Sequence, residues 1–402
     1  MSVKRGRKFL NTPGPTHVPD RVMNAMHQPT LDLSDPYFLE TTKSCFQDTQ
    51  KVLNTSGEVF LYTSNGHGAW EAALANVFSA GDKVLIRVSG NFSNAWSDMA
   101  KALHLEVINM PGNWRRAIDP ALLEKELKED REHEIKGVLI IHTETATGIT
   151  NDLPSLRKAV DSANHPALFL VDTVAAAGTV DYQMDNWGID VTVTASQKGL
   201  MMPPGLGIVA ANAKALRVHE HSMMPKLYWD WNTRLQAEDY RKFCGTAPQL
   251  MVFGMREALD MIFEEGLENI YERHRVLAEA THAAVEVWSQ AGTLSLNAIE
   301  PKERSTAVTT ILTDEGVDAN MIRDVCRDEM MVGLGGGLGN LAGRAFRVGH
   351  MGDMNAPMLF AALASIEATL RYLDIKFAPG GVTAAIEHVA QSKKMGKGPF
   401  SY

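Results

Sequence analysis

Lys136-Gly-Val-Leu-Ile-Ile141 and Ala167-Leu-Phe-Leu-Val171 are short, almost unbroken apolar runs, and Val191-Thr-Val-Thr194 is a third run, wholly β-branched. A strand that is wet on one face alternates apolar with polar residues, whereas a strand buried on both faces does not. The three runs therefore predict strands of a mostly parallel sheet covered by helices on each side. Outward from them the pattern continues, with strands expected at 58–62, 82–88, 106–110 and 207–210. Helical patterns fall at 36–53, 69–79, 94–103, 120–131 and 153–163. The fold class is thus α/β, and sheets of this kind bind ligands at the carboxyl ends of their strands. The polar residues that interrupt the apolar pattern, Asp172 and Lys198 foremost, follow such strand ends.

The two ends of the chain read differently. Pro13, Pro15 and Pro19 break up the first 20 residues, which predicts an extended arm. After Gln249 come helices over 249–266 and 267–290, the second long enough to join two domains. A strand at 305–312, a helix from Ala319, the glycine-rich 333–339, a strand at 345–348 and a last long helix from Asn355 follow. Together they predict an arm at 1–22, a large domain at 23–284 and a smaller α+β domain at 285–402.

Composition limits the partners. The 402 residues carry 39 Lys+Arg against 48 Asp+Glu, a net charge of −9 that argues against nucleic acid or an anionic membrane. No apolar run approaches the ~20 residues of a membrane span. The basic Lys4-Arg5-Gly6-Arg7-Lys8 is followed by no apolar segment and reads as a solvated tail. Phe400-Ser-Tyr402 is not a peroxisomal tripeptide. Three cysteines, Cys45, Cys244 and Cys326, lack metal-site spacing and fit reduced thiols in a cytoplasmic protein. His219 and His221 have no third ligand at useful spacing, so no metal is expected.

Four segments could carry chemistry. In Thr194-Ala-Ser-Gln-Lys198-Gly-Leu-Met-Met-Pro-Pro-Gly205, Lys198 is either an ordinary turn lysine or a half-buried amine of lowered pKa, suited to Schiff-base formation and proton transfer. Asp172, closing Phe169-Leu-Val-Asp172, is either a helix-capping or loop acid or the partner of a cationic ring nitrogen. Ser64-Asn-Gly66-His67-Gly68 is a strand-to-helix turn that matches neither dinucleotide nor P-loop patterns, yet its backbone N–H groups suit a phosphate. Arg347, at a strand end, is either a structural ion-pair member or a bidentate carboxylate anchor. Gly333–Gly339 fails the dinucleotide fingerprint because Asn340 stands where glycine is required.

In order and spacing, Ser64-Asn-Gly-His-Gly68, His142-Thr-Glu-Thr-Ala-Thr-Gly148, Val171-Asp172-Thr-Val174, Ser196-Gln-Lys198 and Pro203-Pro-Gly205 resemble the class V, fold-type I aminotransferases of the serine–, alanine– and aspartate–glyoxylate group. The resemblance covers nearly the whole chain. It implies a seven-stranded large-domain sheet and pyridoxal 5'-phosphate carried by Lys198, with Asp172 pairing with the ring nitrogen. It also implies Phe92 stacked on the ring, Val174 on the opposite face and Thr145 near the ring oxygen. Gly66, His67, Gly68 and Gln197 would meet the phosphate. Thr246 of the neighbouring subunit would add a further contact, which implies a homodimer with shared sites. Arg347 would hold the α-carboxylate of a small amino acid or 2-oxo acid, and Arg344 or Arg87 could serve a second carboxylate. Two departures stand out: Phe243 where the group commonly has tyrosine, and Asp32-Leu33-Ser34-Asp35-Pro36 where serine–glyoxylate members commonly read Asp-His-Arg-Ser-Pro. A lyase or desulfurase of the same fold, or a non-catalytic binding relative, are the alternatives. The first would need a reactive loop cysteine, and Cys326 has a helical context.

Overall fold

Asp35, Asp119 and Asp152 each accept a backbone N–H at the start of a helix, and each is followed by proline within two residues. Proline lacks the N–H that a first helical turn leaves unpaired, so the pairing of acid and proline starts a helix sharply. The helices are Pro36–Leu53, Pro120–Glu129 and Leu153–Ser162, within two residues of the sequence reading. The computed structural model describes residues 6–394; Lys4 and Arg5 of the basic start and Phe400-Ser-Tyr402 lie outside the described residues.

The main sheet has seven strands, in the spatial order Glu58–Ser64, Gly205–Ala211, Val191–Ala195, Leu168–Asp172, Ile135–Ile141, Lys83–Ile86 and Glu106–Asn109. Gly205–Ala211 is antiparallel to both neighbours, and the other pairs are parallel. The apolar runs bury both faces: Val138, Ile140, Phe169 and Val171 enter one core, while Leu139, Ile141, Leu168 and Leu170 enter the other. Alternate side chains thus point to opposite layers, and both layers are apolar, which is why no polar alternation marks these strands. In register, Asp172 lies beside Ile141 and Val193, at the carboxyl edge.

A second sheet holds Phe9–Asn11, Val332–Gly336, Ala345–Gly349, Val308–Thr313 and Leu294–Leu296, with its own core around Trp288, Phe346 and Leu363. Its edge strand Phe9–Asn11 comes from the expected arm and runs parallel to Val332–Gly336. Part of the arm is therefore strand, and a helix, Asp20–Met26, begins within it. The glycine-rich stretch supplies a strand because the arm must come close: a Cβ on Gly335 would lie 2.6 Å from Pro13 Cδ. The long helix Leu267–Trp288 enters the main core at Ile270 and the second core from Val276 onward. Ala356–Tyr372 is not the last helix; Gly381–Lys394 follows and packs on Leu267–Trp288. Among the described residues, no helix is long and apolar enough to cross a membrane and no metal-binding cluster occurs.

Candidate active site

The strand ends Ile141 and Asp172 and the loop after Val191–Ala195 open onto a cavity of about 280 Å3. That loop is pinned by Ser196, whose Oγ donates to the Pro203 carbonyl (2.7 Å) and accepts the Leu206 N–H (3.2 Å). Lys198 is only 8% exposed, and its Nζ donates to the Pro13 carbonyl. Burial first, then the nearby Arg347 charge, pull its pKa down to about 8, against the opposing pull of Asp172 and Glu144.

The arm closes this side of the cavity. Thr16 donates its N–H to the Gln197 carbonyl and its hydroxyl to the Lys198 carbonyl, both at 3.1 Å. Gly14 and Pro15 line the cavity, and Gly14 has a left-handed φ of +105°. A side chain there would also collide with the lysine, since its Cβ would lie 2.1 Å from Lys198 Nζ.

Asp172 is held as a turn acid at the end of its strand. Its Oδ1 accepts the Val174 N–H (2.7 Å), a local turn contact, and its Oδ2 accepts the indole N–H of Trp70 (2.7 Å). Burial nonetheless pushes its pKa up to about 7, because two neutral donors do not repay the loss of water around a charge. Gly66, His67, Phe92, Thr145, Val174 and Gln197 line the same cavity. A Cβ on Gly66 would approach Val174 Cγ2 to 3.2 Å. The His67 ring lies 4.5 Å from that of Trp70 and 6.5 Å from that of Phe92.

Gly68, Thr246 and Arg347 do not line this cavity. The helix Gly66–Val77 begins earlier than its pattern suggested. Asn65 caps that helix, its Oδ1 taking the N–H groups of His67 (3.0 Å) and Gly68 (3.3 Å). Thr246 is exposed and outside the cavity. Arg347 is buried behind the wall, donating to the carbonyls of Gly336 (2.6 Å) and Thr145 (3.0 Å). Burial lowers its pKa to about 10, against the opposing pull of the Glu144 charge.

The departures and the spare cations also find places. Phe243 is buried against Phe46, with ring centroids 6.0 Å apart. Asp32 accepts the Ser34 N–H (2.8 Å) and Asp35 caps the following helix. Arg87 is committed to the carbonyls of Asn113 and Ala117, and Arg344 lines a separate cavity of about 540 Å3. Neither lines the cavity holding Lys198. Sequence reasoning passed over Trp70, within the helical pattern at 69–79, and Glu144, within the segment His142–Gly148. Glu144 is fully buried, its carboxylate accepting N–H groups from Phe92, Ser93 and Ala146. A tryptophan in a helical apolar pattern and a glutamate in a polar turn give no signal until their partners are known.

The aminotransferase class-V family profile matches residues 8–338. The chain belongs to the class-V aminotransferases. It is 42% identical to the serine–glyoxylate aminotransferase of Methylorubrum extorquens, over 96% of this chain and 97% of that protein. It is 37% identical to the L-aspartate–glyoxylate aminotransferase of Paracoccus denitrificans, covering 94% and 96% of the two chains. The structure of ureidoglycine–glyoxylate aminotransferase from Bacillus subtilis superposes with a TM-score of 0.87 at 26% identity, over 96% of this chain and 99% of that one. The architecture is the fold-type I arrangement of this pyridoxal-phosphate-dependent family. The residues present fit that group. A buried amine and a buried carboxyl face one cavity, beside the start of the helix Gly66–Val77.

Proposed function

We propose that this class-V aminotransferase binds pyridoxal 5'-phosphate in the 280 Å3 cavity and moves an amino group, in two half-reactions, from a small L-amino acid to glyoxylate or a similar 2-oxo acid. Serine, alanine and aspartate are the candidate donors. One observation carries the reading: Lys198 and Asp172, with pKa values brought to about 8 and about 7, face one cavity at neighbouring strand ends. A group held near neutrality is half-ready to give or take a proton, which is the property transamination asks of its base.

When bound, the cofactor supplies an electron sink for the electron pair left at the substrate Cα. The protein's part is placement and proton transfer. Lys198 Nζ would hold the cofactor and, once displaced, would carry the proton between the substrate Cα and the cofactor C4′. Asp172 would hold the protonated ring nitrogen, Phe92 and Val174 would meet the ring, and Thr145 would meet its oxygen. Gly66, His67, Gly68 and Gln197 hold the phosphate; for His67 and Gly68 this requires Asn65 to release their N–H groups. Arg347 binds the α-carboxylate. The exposure of Thr246 supports its presentation to a neighbouring subunit, hence a homodimer with shared sites. The division at 23–284 and 285–402, with an arm at 1–22, belongs to the same reading, as does a cytoplasmic setting consistent with three free cysteines.

A desulfurase is disfavoured by Cys326. It is buried on a helix beside Thr369 Oγ1 (3.1 Å), and burial pushes its thiol up to about 11. The test is spectroscopic. The visible band of the protein loaded with pyridoxal phosphate should fade on adding one donor without acceptor and recover with glyoxylate. A band indifferent to serine, alanine and aspartate would refute the glyoxylate reading; failure to take up the cofactor would refute the cofactor assignment as well.

A further inference from the structure

Two tryptophans sit stacked beside the cavity, Trp70 and Trp96, with ring centroids 5.7 Å apart and planes at 15°. Both are buried, at 2% and 0% exposure, but their N–H groups have opposite fates. Trp96 Nε1 is buried with no hydrogen-bond partner, so nothing but packing holds that indole. Trp70 Nε1 is aimed at Asp172 Oδ2 at 2.7 Å. Phenylalanine would keep an aromatic ring at the site of Trp70, in a smaller volume, but not the one donor that the indole brings.

We propose that Trp70 is a positioning residue for transamination: its indole N–H keeps Asp172 ionised and turned toward the ring nitrogen, so that the proton they share stays on the ring. The inference rests on the cofactor reading above. Asp172 ends its strand with one oxygen spent on the Val174 N–H. The other oxygen must both face a ring nitrogen and survive without water. A hydrogen bond accepted by a carboxylate favours the charged form, and its removal favours protonation. With Trp70 absent, Asp172 competes for the ring's proton and the electron sink weakens. The titratable groups facing Asp172 are Lys198 at the next strand end, Glu144 on the small hairpin of Thr143–Glu144 and Ile149–Thr150, and Tyr182. His67 faces Trp70 itself.

Two measurements test this. In the cofactor-free full chain, the indole N–H resonance of Trp70, assigned by its loss in Trp70→Phe, should move as Asp172 titrates and stop moving in Asp172→Asn. A resonance that still moves in Asp172→Asn reports His67 instead and overturns the proposal. In the loaded enzyme, Trp70→Phe should slow single-turnover loss of the visible band by about ten- to hundredfold, the range for a hydrogen bond to a charged group. Donor affinity should stay within about twofold. Trp96→Phe, which removes the same N–H from the same stack, should change neither. Equal slowing by both variants would show a packing effect and refute the role. A parent protein that never takes up the cofactor fails before any variant is compared, which separates the failure of the functional reading from that of this one.

Discussion

Glu144 offers a prediction whose size can be worked from the structure. The helix Asn91–Ala102, which carries Phe92 into the cavity, has Gly90 at its N-cap and so no capping side chain of its own. The carboxylate of Glu144 does that work from the hairpin, accepting the N–H groups of Phe92 (3.1 Å) and Ser93 (2.9 Å), the Ser93 hydroxyl (3.2 Å) and the Ala146 N–H (3.2 Å). Losing a helix cap costs about 0.5–2 kcal/mol. Leaving a buried donor unpaired costs about 1–3 kcal/mol, and the Ser93 and Ala146 groups are both buried. Glu144→Ala should therefore destabilise the cofactor-free protein by about 3–5 kcal/mol. Glu144→Gln keeps one acceptor oxygen and sheds a charge whose burial already raises its pKa. Its loss should be nearer ~1 kcal/mol. Gly90→Ala is the steric counterpart: the backbone there is extended and unstrained, but a Cβ would lie 2.2 Å from Glu144 Cγ and displace it. Urea unfolding followed by circular dichroism, compared at unchanged slope, measures all three. An alanine variant within ~1 kcal/mol of the parent, or a glutamine variant as damaged as alanine, would refute the capping argument.

Lys198→Ala should remove transaminase activity by orders of magnitude while circular dichroism stays that of the parent; retained turnover would show that another group is the base. Stability of the cofactor-free protein should depend on pH through Asp172. Its folded pKa, about 7, lies above the ordinary carboxylic value of about 3.9, so its contribution is fully present below about pH 4 and is lost as pH rises toward 7. Asp172→Asn should flatten that limb of a melting-temperature profile. Lys198 acts with the opposite sign: its depressed pKa of about 8 withholds stability at low pH and restores it between about 8 and 10.5. Thr246→Ala should weaken cofactor affinity several-fold in a protein that sediments as a dimer, and mixing it with Lys198→Ala chains should yield sites impaired in different ways; a monomer with full affinity would contradict the shared-site reading.

Much of the fold is legible in the chain itself. The helix at 36–53 and the strand after Val191 were legible because capping acids, prolines and apolar period are local properties. The strand Phe9–Asn11 was not, because its reason for being extended is a partner more than 320 residues away, Val332. The final helix Gly381–Lys394 was missed for the same kind of reason. Gly381 opens it, and that glycine is needed by Trp288 Nε1, which would lie 2.2 Å from a Cβ there.

For the site, the chain alone determined residue types and their order: a lysine after one buried strand, an acid ending its neighbour, and the family those segments resemble. Parallel strands buried on both faces bring their carboxyl ends to one edge, so the convergence of Asp172 and Lys198 follows from topology already implied by the pattern. Only the tertiary structure decided that Trp70 aims its N–H at Asp172, that Glu144 caps a helix other than its own, and that Pro13 and Gly14 lie against Lys198. These are contacts between segments 50 to 190 residues apart, roughly, and no local propensity encodes them. They depend on burial, and it is burial, which costs a charge its water, that draws the amine and the carboxyl toward neutrality.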